Sequence, residues 1–166
     1  MYLFIGDKKE IAVEFKFEKV LNEGVYHGFG KIWFGENFLG SMEDAIYFDS
    51  YLLGQIESIM KCRKIEIEKV PTTIQAKFEF FQKIELDKQS HLSYNISTTT
   101  FTDMNKIFAY NVNDVITILW KVNFEDTFDD VKTQGINIFS YQFELKKLTQ
   151  IFKILDNLQK IDGLAP

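Results

Sequence analysis

The chain has 166 residues, 46% hydrophobic and 16% aromatic, with 17 Phe, 7 Tyr, a net charge of −5 and a pI near 5.1. That length fits one domain able to bury about 70% of the surface its unfolded form exposes, so a single core over residues 1–166 is expected and disorder is excluded for most of it. Only Arg63 among the 19 basic residues is an arginine, and no polybasic patch exists, which argues against nucleic acid and a membrane surface as partners.

The opening "MYLFIGDKKE" has no basic region followed by a long apolar stretch and reads as a first strand, giving the cytoplasm as the expected address. In "IAVEFKFEK" the residues Ile11, Val13, Phe15 and Phe17 alternate with Glu14, Lys16 and Glu18, the pattern of a half-buried strand with its charges in solvent. After a turn at 22–24, Val25 to Phe34 form another strand with aromatic residues on both faces. Gly28 and Gly30, two apart, share a face and predict a shallow trough that a large side chain can approach. A phosphate loop is excluded, because Gly30-Lys31 is followed by Ile32 and not by a hydroxyl residue. Gly35 to Asn37 turn the chain into a further extended segment that ends near Asp49, completing a β-meander.

Asp49 is placed to cap a helix beginning at Ser50, with Leu52, Leu53, Ile56, Ile59, Met60 and Arg63 as its stripe and Gln55 outside it. This helix should cover the meander. Thr72 or Thr73 caps a second helix running to about Asp87, with Ile74, Phe78, Phe81 and Ile84 as its apolar face. Residues 88–105 are polar and without helical period, a long loop or weak edge strand. "KIFAYNVNDVITILWKVNF" predicts two strands about a turn at Asn111 to Asp114, the second too apolar to be exposed on either side. "INIFSYQ" adds a strand, and the stripe from Leu145 to Ile161 predicts a final helix ended by Gly163. Strands in adjacent blocks argue for an α+β domain with a largely antiparallel sheet of about six or seven strands covered by two or three helices.

Chemistry is sparse. Cys62, the single cysteine, allows no internal disulfide, and as a nucleophile it would need His27 or His91, the only two histidines. Glu66 and Glu68 are the other pair that an enzyme reading would use. Neither arrangement is a recognisable catalytic motif, and no catalytic residue, cofactor or metal ligand set is assigned. "FEDTFDD", holding Glu125, Asp126, Asp129 and Asp130, is the one dense carboxylate cluster, and Glu43 and Asp44 form a looser one. The first cluster reads as solvated surface, as a landing site for a cationic partner, since complementary fields speed encounter, or as a weak calcium site. The partner-binding assignment is Glu43, Asp44, Glu125, Asp126, Asp129 and Asp130.

"FIGDKKEIAVEFKFE", "HGFGKIWFGENFLG" and "FDSYLLGQIESIMK" resemble the opening of a family of bacterial polymorphic-toxin immunity proteins, immunity protein family 42. The matching positions are Gly6-Asp7, Ala12 to Phe17, Trp33 to Gly35 and Asp49 to Leu52. The family's Asn-Gly turn is replaced here by Gly35-Glu36-Asn37, and residues 65–105 have no counterpart. The resemblance implies a small cytoplasmic protein without enzymatic activity that binds and neutralises a cognate toxin domain. The remaining alternatives are a structural or assembly module of a phage or secretion system, and a cysteine-dependent hydrolase.

Overall fold

The computed structural model describes residues 1–22, 25–87, 92–97, 104–123 and 127–160. Among these, the strands fall into two antiparallel sheets, each with neighbours in chain order. The first holds β1 (Tyr2–Gly6), β2 (Ile11–Asn22), β3 (Val25–Phe34) and β4 (Asn37–Tyr47); the second holds β5 (Asn105–Val112), β6 (Val115–Val122) and β7 (Ile138–Glu144). A π-helical turn at Phe48–Leu53 runs straight into α1 (Gly54–Met60), and α2 spans Ile74–Leu86. A short α3 (Asp129–Lys132) precedes β7, and α4 spans Leu145–Gln159. The α+β class and the seven strands agree with the expectation; their division into two sheets does not show in the residue pattern.

Turn chemistry fixes the hairpins. Asn113 and Asp114 both have positive φ, 51° and 64°, as a two-residue turn between β5 and β6 requires of residues that tolerate the left-handed region. Gly35, at φ 64°, opens the two-residue turn between β3 and β4.

The strand alternation then builds the core. Ile11, Val13, Phe15 and Phe17 of β2 face inward with Ile32 and Phe34 of β3, and the π-helical turn, α1 and α4 close over them with Leu52, with Ile56 and Ile59, and with Leu148, Ile151 and Leu155. Each such side chain contributes about 1.5–3 kcal/mol by leaving water. Phe34 joins the sheets, its ring centroid 5.8 Å from Trp120 and 5.7 Å from Phe143. The opposite face of the second sheet packs Phe108, Tyr110 and Leu119 against Phe78 and Phe81 of α2, so β6 is covered on both sides. Thr73 caps α2 by accepting from the Ala76 amide at 3.2 Å.

The trough predicted at Gly28 and Gly30 is filled by the Phe15 ring. A Cβ at either position would lie 2.9 Å from that ring, and at Gly28 it would also lie 2.1 Å from the Lys16 carbonyl oxygen.

Several local expectations are corrected. Asp49 caps nothing, because the helical segment already starts at Phe48 and its N-cap position is Tyr47. Gln55 is fully buried and donates to the Ile96 carbonyl at 2.9 Å, since a side-chain amide with a partner is tolerated where a bare one is not. Glu14 is only 9% exposed. Part of the polar stretch after α2 does pair as a strand would: Ala109 donates to the Tyr94 carbonyl and Ile96 to that of Ile107. The expected helix end at Ile161 and Gly163 lies outside the described residues.

Gly28→Ala is expected to lower unfolding stability by about 2–4 kcal/mol, because the clash is with backbone. Gly54→Ala meets nothing within 4 Å in a right-handed helical conformation and should raise it by about 0.5–1 kcal/mol. Urea denaturation of the two variants checks both signs.

Candidate partner-binding face

The β3–β4 ladder is interrupted by three residues of β4. Phe34 to Gly30 pair with Asn37 to Ser41, pairing resumes at Phe29 opposite Ala45, and Met42, Glu43 and Asp44 bulge between. Gly40, at φ 89°, starts the departure. Bulges re-aim side chains and free backbone groups, and here α3 occupies the gap.

The join is reciprocal. Asp130 of α3 accepts from the Met42 amide at 2.8 Å and the Ser41 hydroxyl at 2.7 Å, and pairs with Lys31 at 2.9 Å. In return, the Glu43 carboxylate accepts from the Asp129 and Asp130 amides, both at 3.2 Å, which satisfies the free N–H groups at the start of α3. The Gln134 side-chain oxygen takes the Phe38 amide at 3.0 Å. Val131 seats against Phe38, Met104 and Val122, so an apolar contact backs the polar ones.

Of the six carboxylates assigned to partner binding, the structure therefore unites Glu43, Asp129 and Asp130, with Asp44 beside Glu43 and half-exposed. Glu43 and Asp129 are exposed, whereas Asp130 is half-buried and internally engaged. Lys132 lies 3.0 Å from Asp129. Glu125 and Asp126 lie outside the described residues.

The outer face of the first sheet continues from this corner. Lys31, 8% exposed, places its ammonium 3.9 Å from the centre of the Phe38 ring. Lys8 stands 3.9 Å over Trp33 and 3.3 Å from Glu14. Glu14 also accepts from the Trp33 indole at 2.8 Å and from the Tyr2 phenol. Each cation is thus held between an aromatic face and a carboxylate, with part of its hydration replaced. These residues were not singled out from the sequence; the signal available was the presence of aromatics on both faces of β3, since Trp33 and Phe29 have no place in the inner core.

Burial alone would raise the Glu14 carboxyl, but the Tyr2 phenol, the Trp33 indole and Lys8 outweigh it and hold the group below the usual 4.5. Asp130 behaves likewise: burial opposes ionisation, and the Met42 amide, Lys31 and Ser41 together hold it below 3.8. The hydrogen bond that Tyr2 donates to Glu14 pushes the phenol up to about 12.

Among the described residues, those considered for catalysis are dispersed. Cys62 lines a cleft of about 680 Å³ with Glu57, Lys61, Arg63, Tyr94 and Ile96, and the described lining contains no imidazole. Burial pushes the thiol up to about 12, so the thiolate that a nucleophile requires is scarce near neutral pH. His27 instead lies on the outer face of the first sheet, 3.0 Å from Glu18. His91 is outside the described residues. Glu66 is exposed and tied to Lys69 at 2.6 Å. Among the described residues no group of three or more His, Cys, Asp or Glu is arranged to hold a metal, and no helix is long and apolar enough to cross a membrane.

Two sequence-ordered antiparallel sheets with α2 on one side and α1 and α4 between place the chain among α+β proteins, and its described surface includes a charged, aromatic-lined corner at the β4 bulge. The crystal structure of CdiI from Burkholderia dolosa AUO158 is similar to it with a TM-score of 0.61, over 96% of this chain and 100% of that one, at 10% identity. At that identity the likeness is one of fold. No protein-family model matches the chain, so kinship to immunity protein family 42 stays a resemblance of residues, and no curated protein matches it.

Asp130→Ala is expected to cost about 2–3 kcal/mol, because it strands the Lys31 ammonium and the Met42 amide away from water. Both carboxyls ionise more readily folded than unfolded, so their contribution is complete above the ordinary carboxylate range and drains as pH falls through the folded values. Urea midpoints taken from pH 7 down to about pH 3 should drop on the acid side, and the drop should be shallower in Glu14→Gln and Asp130→Asn.

Proposed function

We propose that the chain is an immunity protein, which binds a cognate toxin domain in the cytoplasm and neutralises it by covering its active site. The observation that carries this reading is the fold likeness to a CdiI, an immunity protein of contact-dependent inhibition, over nearly the full length of both chains. Three features of the chain support it. The acid-rich corner at the β4 bulge is fixed by hydrogen bonds, so little ordering accompanies binding. The adjoining sheet face presents aromatic residues next to charge, a composition suited to protein interfaces. The thiol of Cys62 is held protonated and has no imidazole in its described surroundings.

Glu43, Asp44 and Asp129, with Glu125 and Asp126, form the contact surface in this reading, and Asp130 holds its frame. A toxin domain with a cationic active site, such as a nuclease, is the partner that such a surface fits, because fields of opposite sign speed encounter and occupy the charges that substrate would use.

Co-expression with the toxin domain encoded beside this gene checks the reading: growth should be rescued and the two proteins should co-purify, and failure of both would overturn it. Asp44→Lys with Asp129→Lys should slow association about tenfold or more at low ionic strength, with the gap closing as salt is added. An association rate unchanged by the double substitution removes the acidic corner from the interface.

A further inference from the structure

The ammonium of Lys8 occupies a site whose walls come from other elements. On the outer face of the first sheet, Ala12 of β2 pairs with Gly6 on one side and Trp33 on the other, and Phe4 pairs with Glu14 in a neighbouring row. Side chains two apart on a strand share a face, so Phe4, Glu14 and Trp33 surround a position where Ala12 contributes only a methyl and Gly6 nothing. Lys8 Nζ fills it, 3.9 Å from the centre of the Trp33 ring, 5.4 Å from that of Phe4 and 3.3 Å from Glu14 Oε2.

These walls do not depend on Lys8. Glu14 accepts from the Trp33 indole at 2.8 Å and from the Tyr2 phenol, so ring and carboxylate hold each other in place. Glu14 and Trp33 sit within the ladder, whereas Lys8 belongs to the turn between β1 and β2 and its side chain is 46% exposed. An exposed lysine on a turn gives up rotamer freedom to stay paired and leaves at small cost. What remains is a carboxylate beside an aromatic face, a combination that attracts an organic cation. A second ammonium, that of Lys31, lies 5.7 Å from the Trp33 ring but is offset by Asp130 at 2.9 Å. With Lys8 displaced, the negative charge of Glu14 therefore faces the newcomer.

We propose that this is a binding site for a guanidinium or ammonium side chain of a partner protein, and that Lys8 fills it in the free chain until the partner's cation displaces it. The partner is the toxin domain of the function proposed above, on which this inference rests. A toxin with a cationic active site carries the required groups, and Trp33 contacts Phe38, whose ring borders the β4 corner. Lys8 acts as a competitor built into the chain, lowering the affinity of any other cation by the fraction of time it is seated.

Titration of the full chain with N-acetylarginine methylamide, a guanidinium without a carboxylate, is followed by the indole N–H resonances of its two tryptophans. In Lys8→Ala the Trp33 resonance should saturate at about tenfold less probe than in the unsubstituted chain, while that of Trp120, fully buried, stays still. Lys16→Ala, which removes an exposed cation from the same face without opening the site, should respond as the unsubstituted chain does. Adding Glu14→Gln to Lys8→Ala should abolish the response. A Trp33 resonance that does not move in Lys8→Ala, or an equal gain from Lys16→Ala, would overturn the site. Against the toxin domain, Trp33→Leu keeps apolar cover but has no π face, and it should weaken binding about tenfold at roughly 0.5 M salt, where long-range attraction by the acidic corner is screened. A toxin bound equally well by Trp33→Leu rejects the site as its contact and leaves the immunity reading intact. Binding of the arginine probe by a chain that captures no toxin keeps the cation site and rejects the toxin as its occupant.

Discussion

The gap in the β3–β4 ladder at Met42 to Asp44 is the constraint around which the rest of the molecule is arranged. A bulge of three residues would leave backbone donors without partners, and the Met42 amide is met by a carboxylate from far along the chain, Asp130. That carboxylate brings α3 with it. Because α3 lies between β6 and β7 in sequence, the same contact ties the meander to the three-stranded sheet at the corner away from α4. Lys31 completes the arrangement by supplying positive charge where Asp130 is removed from water, which makes the carboxylate affordable there.

Acidity in this chain is divided between two tasks. Asp130 and Glu14 are internal acceptors, each surrounded by donors that keep it ionised despite partial burial. Glu43 does both, capping α3 while remaining exposed, and Asp129 projects outward from the first turn of that helix. Counting carboxylates in "FEDTFDD" therefore overstates the negative charge open to a partner, since Lys31 offsets one and Lys132 moderates another.

The regular elements were legible in the residues because their periods are local. Ile11 to Phe17 alternate, Leu145 to Leu155 recur at helical spacing, and Gly28 and Gly30 announce the Phe15 ring two residues apart. What escaped depends on contacts distant in sequence. Glu14 looks like any outward charge of an alternating strand until Tyr2 and Trp33 close over it. Gln55 looks like the polar side of a helix until Ile96 offers its carbonyl. The division into two sheets, the bulge and α3 belong to the same class, because no local pattern distinguishes a meander that continues from one that stops at Tyr47.

Both sheets keep their strands in sequence order, so each assembles by zipping neighbouring hairpins, whose closures span few residues. The Ser41 to Asp130 contact spans 89 residues, and holding so long a segment closed opposes folding by about 4 kcal/mol. Packing of Phe34 against Trp120 and Phe143 shares that entropic loss, so the corner completes only once the halves have met. The exposed carboxylates Glu43 and Asp129 are held at that corner, so their arrangement exists only in a chain whose halves have docked.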